Sequence, residues 1–375
     1  MSVSQEQEEA NRCRLCFGDD EDDGPLVQPC ACRGTAKWIH EHCLEQWRRT
    51  GPREDAAYRC GQCMDEYRDA LSLELLSARL QSERTDGEDT SFTVRTLAHE
   101  LDAQDKHDEA EPLFREVLEV ERETLGDRHP NTLTSLSNLC GLLLAKGDLV
   151  AASPLVCEAV EVACETLGIR HPHTLTCIGN LGLLMKRKGN LAGAEPLLRD
   201  VLEARRETLG SRHPQTLVSV RNLGTLLASK GDLAAAEPLL CEAVEVARDT
   251  LGTRQWSTLI SICNLGMLMA DKGDLAAAEP LLREAVEVAR STLGSRNPHT
   301  LPSIGILGTV LKRKGHLATA EPLFREAVEM RREALGDRHP RTLTFISNLG
   351  MLLKEKGDLA AAEPLLREAK GWWSP

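Results

Sequence analysis

Residues 125–166 read LGDRHPNTLTSLSNLCGLLLAKGDLVAASPLVCEAVEVACET. The pattern returns in register every 42 residues, in units that begin at Leu167, Leu209, Leu251, Leu293 and Leu335. A weaker copy covers roughly residues 85–124, which makes seven copies, one of them degenerate and the last truncated. Self-similarity at a fixed period of this length indicates a solenoid, because each unit needs its neighbours to bury its apolar face.

Each unit is predicted to form two antiparallel helices. The first helix carries an apolar stripe at i, i+3, i+4 and i+7, formed by Leu136, Leu139, Cys140 and Leu143. Pro130 suits its first turn, and Gly147 suits the left-handed residue that ends it. Asp148 is then placed to cap the second helix. The fold class predicted is mainly α, an α-solenoid of about seven helix-turn-helix repeats.

Composition and charge exclude several functions. The chain has 45 basic and 58 acidic residues, a net charge of −13, which argues against nucleic acid as a partner. No run reaches the roughly 18 apolar residues that a membrane span needs. Residues 1–10 are polar and acidic, so they are predicted to be disordered and to be neither a signal nor a transit peptide. A cytoplasmic protein is expected.

The cysteines are unevenly distributed. Seven of the 13 fall between Cys13 and Cys63, and the close pairs among them suggest metal ligands rather than disulfides in an intracellular chain. With one histidine they make eight candidate ligands: Cys13, Cys16, Cys30, Cys32, His40, Cys43, Cys60 and Cys63. These intervals match two closed tetrahedral zinc sites, which are structural rather than catalytic. The other six are predicted to be small buried hydrophobes: Cys140, Cys157, Cys164, Cys177, Cys241 and Cys263.

The run PCACRGTAKWIHEHCLEQW at residues 29–47 resembles the RING-CH, or RING-variant, zinc fingers of ubiquitin ligases. Cysteine is the fourth ligand and histidine the fifth, whereas ordinary RING fingers place histidine fourth. PHD fingers share this order but have a shorter gap before the fifth ligand. The cross-braced pattern of the family implies two ligand sets, Cys13, Cys16, His40 and Cys43 for one ion and Cys30, Cys32, Cys60 and Cys63 for the other. His42 is the alternative to His40. Only His40 leaves the usual two-residue gap before Cys43.

The same resemblance implies how the zinc head would act. RING-type ligases form no covalent intermediate and hold a ubiquitin-charged conjugating enzyme in a reactive conformation. No catalytic nucleophile is therefore expected. By resemblance, Leu15 and Trp47 contact the conjugating enzyme. The alternative for both residues is packing within the small zinc module.

The repeat resembles the tetratricopeptide family in the long form of kinesin light chains. The resemblance rests on the HPxTL entry of each unit and on runs such as LAAAEPLLREAVEV at residues 275–288. In this family the first helices line the concave face, where an asparagine can hold a peptide backbone. The equivalent residues are Asn138, Asn180, Asn222, Asn264 and Asn348, and the fifth unit has Ile306. The alternative is an asparagine tied to a neighbouring helix.

Charged residues on the first helices do not decide what kind of ligand the array binds. An acidic peptide or a solvated face would equally explain Lys186, Arg187, Lys312, Arg313 and Lys354. The histidines before proline are predicted to be turn residues, because equivalent points on stacked helices lie roughly 8–10 Å apart, too far for shared zinc ligands. They are His129, His171, His213 and His339.

These observations give a predicted organisation of four segments. They are a disordered acidic N-terminus at 1–10, a RING-CH finger at 11–66, a helical linker at 67–88 and a tetratricopeptide array at 89–375. The leading hypothesis is a soluble ubiquitin ligase that recruits a conjugating enzyme through the zinc head and a protein substrate through the repeats. The alternative is a non-enzymatic adaptor resembling kinesin light chain, with a structural zinc finger.

Overall fold

The computed structural model describes residues 13, 15, 26–27, 39–50, 70–87, 90–293, 297 and 300–370. The chain divides into two compact units, Met1–Glu123 and Thr124–Pro375. We call them the head unit and the repeat array. Within the described residues no helix is both long enough and apolar enough to span a bilayer.

The head unit combines a short antiparallel ribbon with helices. Its elements are β1 (Leu26–Val27), β2 (Ile39–His40), α1 (Glu41–Thr50), α2 (Ala70–Asp86), α3 (Ser91–Ala103) and α4 (His107–Leu125). Leu26 pairs with His40 and Val27 with Ile39. Helix α2 buries Leu73, Leu76 and Leu80. It is linked to α3 by a hydrogen bond from Thr93 Oγ1 to Glu83 Oε1 at 2.9 Å.

The repeat array confirms the predicted α-solenoid. Its helices are α5 (Pro130–Lys146), α6 (Leu149–Leu167), α7 (Pro172–Arg187), α8 (Leu191–Leu209), α9 (Pro214–Lys230), α10 (Leu233–Leu251), α11 (Trp256–Asp271), α12 (Leu275–Leu293), α13 (Leu301–Arg313), α14 (Leu317–Leu335), α15 (Pro340–Lys356) and α16 (Leu359–Lys370). Consecutive pairs form repeats one to six, from α5–α6 to α15–α16. The degenerate copy of the sequence forms the pair α3 and α4 in the head unit.

The ends of each helix are fixed by local sequence. Pro130 occupies the first turn of α5, and Gly147 ends that helix at φ +89° in the left-handed region. Asp148 caps α6 by accepting from the Ala151 N–H at 2.9 Å. The histidines before proline lie in the turn and act as N-caps, because each Nδ1 accepts the N–H two residues further on at 3.1–3.2 Å.

Close contact within a repeat depends on one small residue of the first helix. A Cβ on Gly182 would lie 2.7 Å from Leu198 Cδ2, and one on Gly266 would lie 2.8 Å from Leu282 Cδ2. Repeat one has Cys140 at this position, and the position equivalent to Leu198 is the smaller Val156. The two helices therefore keep their spacing because a larger residue on one is matched by a smaller one on the other.

Contacts between repeats define an inner and an outer side. First helices of neighbouring repeats pack directly on each other, as α5 does on α7 and α11 on α13. They therefore line the inner, more tightly curved side. Buried threonines of the HPxTL entry donate hydrogen bonds to the preceding second helix. Thr174 Oγ1, for example, donates to the Ala163 carbonyl at 3.2 Å. Second helices are linked by ion pairs such as Arg248–Glu284 at 2.8 Å.

Candidate metal centre and inner surface of the array

The ribbon and the helix that follows it assemble a cluster of metal-ligand side chains. His40 ends β2, and Cys43 lies in the first turn of α1. Cys13 lies against them, and the ligand atoms of the three residues are all within 4.8 Å of one another. Cys13 and His40 are fully buried. Three of the four ligands predicted for the first zinc ion thus lie together.

Backbone N–H groups surround the Cys13 sulfur. The N–H of Leu15 and the N–H of His40 each donate to Cys13 Sγ at 3.4 Å. Hydrogen bonds of this kind stabilise a thiolate, which is the form of cysteine that binds zinc. Two sulfurs and one imidazole are a donor set that Zn²⁺ prefers. The cluster therefore fits a zinc ion chemically.

Two histidines lie beside Cys43. His42 Nε2 is 3.2 Å from Cys43 Sγ, and His40 Nδ1 is 4.0 Å from it. The two imidazole rings stack at 5.4 Å between centroids. His40 is fully buried among the other ligands, whereas His42 is exposed. The other predicted ligands lie outside the described residues: Cys16, Cys30, Cys32, Cys60 and Cys63.

The residues predicted to contact a conjugating enzyme flank the cluster in sequence. Leu15, two residues after the buried Cys13, is 38% exposed. Trp47 is half-buried on α1, one turn beyond Cys43. The next residue, Arg48, is buried and donates to Ser72 Oγ of α2 at 2.6 Å. Helix α2 therefore holds the helix that carries Trp47.

The predicted asparagine ladder lies on the first helices, with every member half-buried. Asn180 Nδ2 donates to the Ser137 carbonyl of the preceding repeat at 3.4 Å, which resembles the predicted structural alternative. The side chains of Asn222 and Asn264 make no hydrogen bond to other described residues. Their amides reach solvent, because neither is among the buried unsatisfied groups. The same holds for Asn348, so Asn222, Asn264 and Asn348 are the members of the ladder most available to a ligand.

The scattered cysteines only partly match their prediction. Cys140, Cys177 and Cys263 are buried, and burial raises the pKa of the Cys140 and Cys263 thiols to about 12. The prediction was wrong for Cys157, which is exposed because it lies on the outward face of α6. Cys164 and Cys241 are half-buried. The buried thiols are packing residues.

One contact across the inner surface was not predicted from the sequence. Arg341, at the start of α15, donates through Nη2 to the Ala145 carbonyl near the end of α5. The two residues are 196 positions apart and belong to repeats six and one. Partial burial and, second, the charge of Arg341 lower the pKa of Arg187 on α7. The first helices of distant repeats therefore face each other across the inside of the array.

Two family models match the chain. The RING-variant domain matches residues 13–63. The tetratricopeptide repeat matches residues 90–165, 136–207, 173–249, 257–333 and 303–370. The repeat matches cover most of the chain, and the chain belongs to the tetratricopeptide repeat family. It carries a RING-variant domain at its N-terminus.

Curated relatives match the head alone. The E3 ubiquitin-protein ligase MARCHF5 of Xenopus laevis is 43% identical over 70 residues, 18% of this chain and 25% of the relative. The ERAD-associated E3 ubiquitin-protein ligase DOA10 of Saccharomyces cerevisiae is 51% identical over 35 residues, 9% of this chain and 3% of the relative. The chain thus spans a quarter or less of these two proteins.

Solved structures match the helical part. Rap protein complexed with competence and sporulation factor is 12% identical with a TM-score of 0.53, over 76% of this chain and 80% of that one. At this identity the likeness concerns the fold alone. The kinesin-light-chain TPR-like repeats of Podosopora anserina are 26% identical with a TM-score of 0.46, over 55% of this chain and 97% of that one.

Proposed function

We propose that this protein is a RING-CH-type E3 ubiquitin-protein ligase whose repeat array captures a protein substrate. The observation that supports the proposal most strongly is the RING-variant match over residues 13–63, with Cys13, His40 and Cys43 already assembled at its described positions. Relatives that match this part of the chain are named E3 ubiquitin-protein ligases. The working division is a zinc head at 11–66, a helical linker at 67–88 and an array at 89–375.

Zinc would be structural in this head. We propose that Cys13, Cys16, His40 and Cys43 bind one ion and that Cys30, Cys32, Cys60 and Cys63 bind the other. Three thiolates and a neutral imidazole, or four thiolates, leave a bound Zn²⁺ with net negative charge and no open position for water. The ions therefore stabilise a module too small to fold on apolar burial alone.

Catalysis by such a head would be positional. A conjugating enzyme that carries ubiquitin as a thioester needs no nucleophile from the ligase, only restriction to a reactive geometry. Leu15 is exposed and Trp47 is half-buried, so both offer apolar surface to that enzyme. Arg48 is held by Ser72, and this bond positions the neighbouring Trp47 on α1. The array would bind the substrate so that it can accept ubiquitin from the conjugating enzyme.

A ubiquitin transfer assay tests the proposal. Purified chain is incubated with ATP, ubiquitin, activating enzyme and a panel of conjugating enzymes, and chain formation is scored. We expect activity with at least one enzyme, and we expect Trp47→Ala to abolish it while zinc content stays the same. Gln46→Ala, an exposed change on the same helix, is the matched control and should retain activity.

Two results would contradict the proposal. Full activity of Trp47→Ala would remove that residue from the docking surface. An inactive wild type with two bound zinc ions, across the whole panel, would favour the non-enzymatic adaptor resembling kinesin light chain.

A further inference from the structure

In repeats one to three, an ion pair joins the turn before the first helix to the last turn of the second helix. The arginine lies two residues before the first helix, and its partner is an acid 37 residues further along the chain. The pairs are Arg128–Glu165 at 2.9 Å, Arg170–Glu207, and Arg212–Asp249 at 3.1 Å. Their side chains are exposed, so these pairs close each repeat at its surface.

Repeat four keeps the arginine of this pair and lacks the acid. Arg254 precedes α11 by two residues, as Arg128 precedes α5, but the residue at the position of the acid is Ser291. The Arg254 side chain forms no hydrogen bond or ion pair with another described residue. Ser291 is therefore an exception at a position that is acidic in the other repeats whose residue there is described, where it is Glu165, Glu207, Asp249 and Glu333.

The backbone of repeat four nevertheless holds Arg254 as the other repeats hold their paired arginines. The Gln255 N–H donates to the Gly252 carbonyl at 3.4 Å, and the equivalent bonds of repeats one to three measure 3.2–3.4 Å. Thr258 Oγ1 donates to the same Gly252 carbonyl at 2.8 Å. Helix α11 begins, and α12 ends, at residues equivalent to those of repeat three. An anionic side chain at position 291 would therefore lie within reach of the Arg254 guanidinium.

Ser291 is accessible to a modifying enzyme. It is exposed in the last turn of α12, where its hydroxyl donates to the Val288 carbonyl of its own helix at 3.0 Å. The adjacent cation, Arg290, already pairs with Glu326 of the next repeat at 2.5 Å. Glu287 lies one turn earlier on the same exposed face. A negative group at 291 is compatible with it, because the paired repeats carry a glutamate there too, at Glu161, Glu203 and Glu245.

We propose that Ser291 is a phosphorylation site and that its phosphate pairs with Arg254, in place of the acid that closes the other repeats. A protein kinase would transfer the γ-phosphoryl group of ATP to Ser291 Oγ. The new bond joins Oγ to phosphorus, the bond from that phosphorus to the bridging oxygen breaks to release ADP, and the hydroxyl proton passes to the catalytic base of the kinase. Phosphoserine carries about −1.5 to −2 charges at pH 7, and a guanidinium group can bind phosphate through two parallel hydrogen bonds.

The phosphate would act on a repeat that also lacks a second local bond. In the turn before α11, Gln255 makes no side-chain hydrogen bond to cap the helix. The equivalent residues of repeats one, two, three and six all cap their helices, and they are His129, His171, His213 and His339. Phosphorylation is therefore expected to stiffen the start of α11 against the end of α12. This regulation goes beyond the proposed ligase activity and does not depend on it.

Mass spectrometry tests whether Ser291 is modified. The full chain is isolated, with phosphatase inhibitors present, from cells that produce it. We expect phosphate on Ser291, assigned by fragmentation that separates this residue from Thr292 and Ser295. A chain that carries no phosphate at Ser291 would overturn the assignment of the site.

Phosphorus NMR tests whether the phosphate pairs with Arg254. Phosphoserine is incorporated at position 291 of the full chain during translation, and its second pKa is measured by titration. We expect this phosphate pKa to lie below its usual value of about 6. Arg254→Gln should raise it by roughly 0.3–0.7, because an exposed ion pair is lost. Hydrogen exchange of the backbone amides at the start of α11 should be about three- to tenfold slower with phosphoserine than with serine, and Arg254→Gln should cancel this difference.

The matched control removes the equivalent arginine of repeat three. Arg212→Gln breaks the pair with Asp249 and should leave the pKa of the phosphate at position 291 unchanged. A phosphate pKa that is the same with and without Arg254 would overturn the pairing. So would an equal rise in both variants, because it would reflect only the lost net charge. These measurements need no ubiquitin component, so the ligase proposal stands or falls by its own assay.

Discussion

Gly141 and Gly266 are both helical glycines on first helices of the array, yet their surroundings differ. A Cβ on Gly141 would meet nothing within 4 Å, whereas a Cβ on Gly266 would lie 2.8 Å from both Cδ2 and Cγ of Leu282. Gly266 is therefore needed for close contact with the second helix. Gly141 is not needed for such a contact, and it destabilises its helix because glycine loses more conformational freedom on folding than other residues do.

Replacing each of these two glycines with alanine should change the stability of the array in opposite directions. Gly266→Ala should destabilise the array by about 1–3 kcal/mol through overpacking, reduced by about 1 kcal/mol of gained helix propensity. Gly141→Ala should stabilise it by roughly 0.5–1 kcal/mol. Urea unfolding followed by circular dichroism measures both changes. Equal shifts in one direction would mean that Leu282 moves aside without cost.

Residue-level reasoning from the sequence was reliable where a local rule applied. Pro130, Gly147 and Asp148 lie at the helix ends where capping chemistry places them. Cys157 was misjudged because residue type alone does not say which face of α6 is buried. The sequence did not distinguish Lys186, which donates to Thr225 Oγ1, from the equivalent Lys312, which pairs with Glu355.

At the scale of elements, the first helices carry both the architecture and the surface offered to a ligand. Their packing on each other leaves Asn222 on α9 and Asn264 on α11 with amides that reach solvent. Asn180, by contrast, contacts the Ser137 carbonyl on the first helix of the preceding repeat. One sequence position therefore has two kinds of surroundings along the array. The repeat pattern could not reveal this, since it shows the same amide each time.

The double variant Asn222→Ala, Asn264→Ala separates peptide capture from architecture. If each amide bonds a peptide backbone, each loss weakens binding by about 0.5–1.5 kcal/mol, or roughly ten- to hundredfold for both if the effects add. The melting temperature should change little, because neither amide bonds another described residue. Fluorescence anisotropy with a labelled peptide of alternating Glu and Ala, titrated with the purified chain, measures affinity, and Asn180→Ala is the comparison. A variant that melts early and binds normally would make these two asparagines structural.

At the scale of the whole molecule, the two compact units should differ in what stabilises them. The array buries a continuous row of leucine and alanine side chains from repeat to repeat. In the zinc head at residues 11–66, the cluster of Cys13, His40 and Cys43 adds to a small apolar core, in which Ile39 and Leu44 are buried at the described positions. A structural zinc site supplies apparent folding free energy on the order of 10 kcal/mol.

Loss of one zinc ligand should therefore unfold the zinc head at residues 11–66 and spare the array. Cys43→Ser is expected to lower zinc content and abolish ubiquitin transfer, while most helical circular dichroism and its melting transition remain. The exposed Cys157→Ser is the matched control and should change none of these quantities. Unaltered zinc content in Cys43→Ser would show that Cys43 is not a ligand.

The fold was predictable from the sequence because every repeat applies the same local rules. The contact between Arg341 and Ala145 was not, since it depends on the small rotation between neighbouring repeats, added over five successive junctions. The periodicity of the sequence predicts how neighbouring repeats stack, but it does not give the curvature that accumulates over the five junctions. The contact arises from that curvature, so no local pattern could have indicated it.

The Arg341–Ala145 contact has a consequence for how this gene can change. Tandem duplication or loss of one 42-residue unit would preserve the helix pairing at each junction, because every unit stacks through the same pattern of residues. Such an event between repeats one and six would nevertheless move Arg341 away from the end of α5. A requirement for this contact would therefore hold the number of units between the two residues constant.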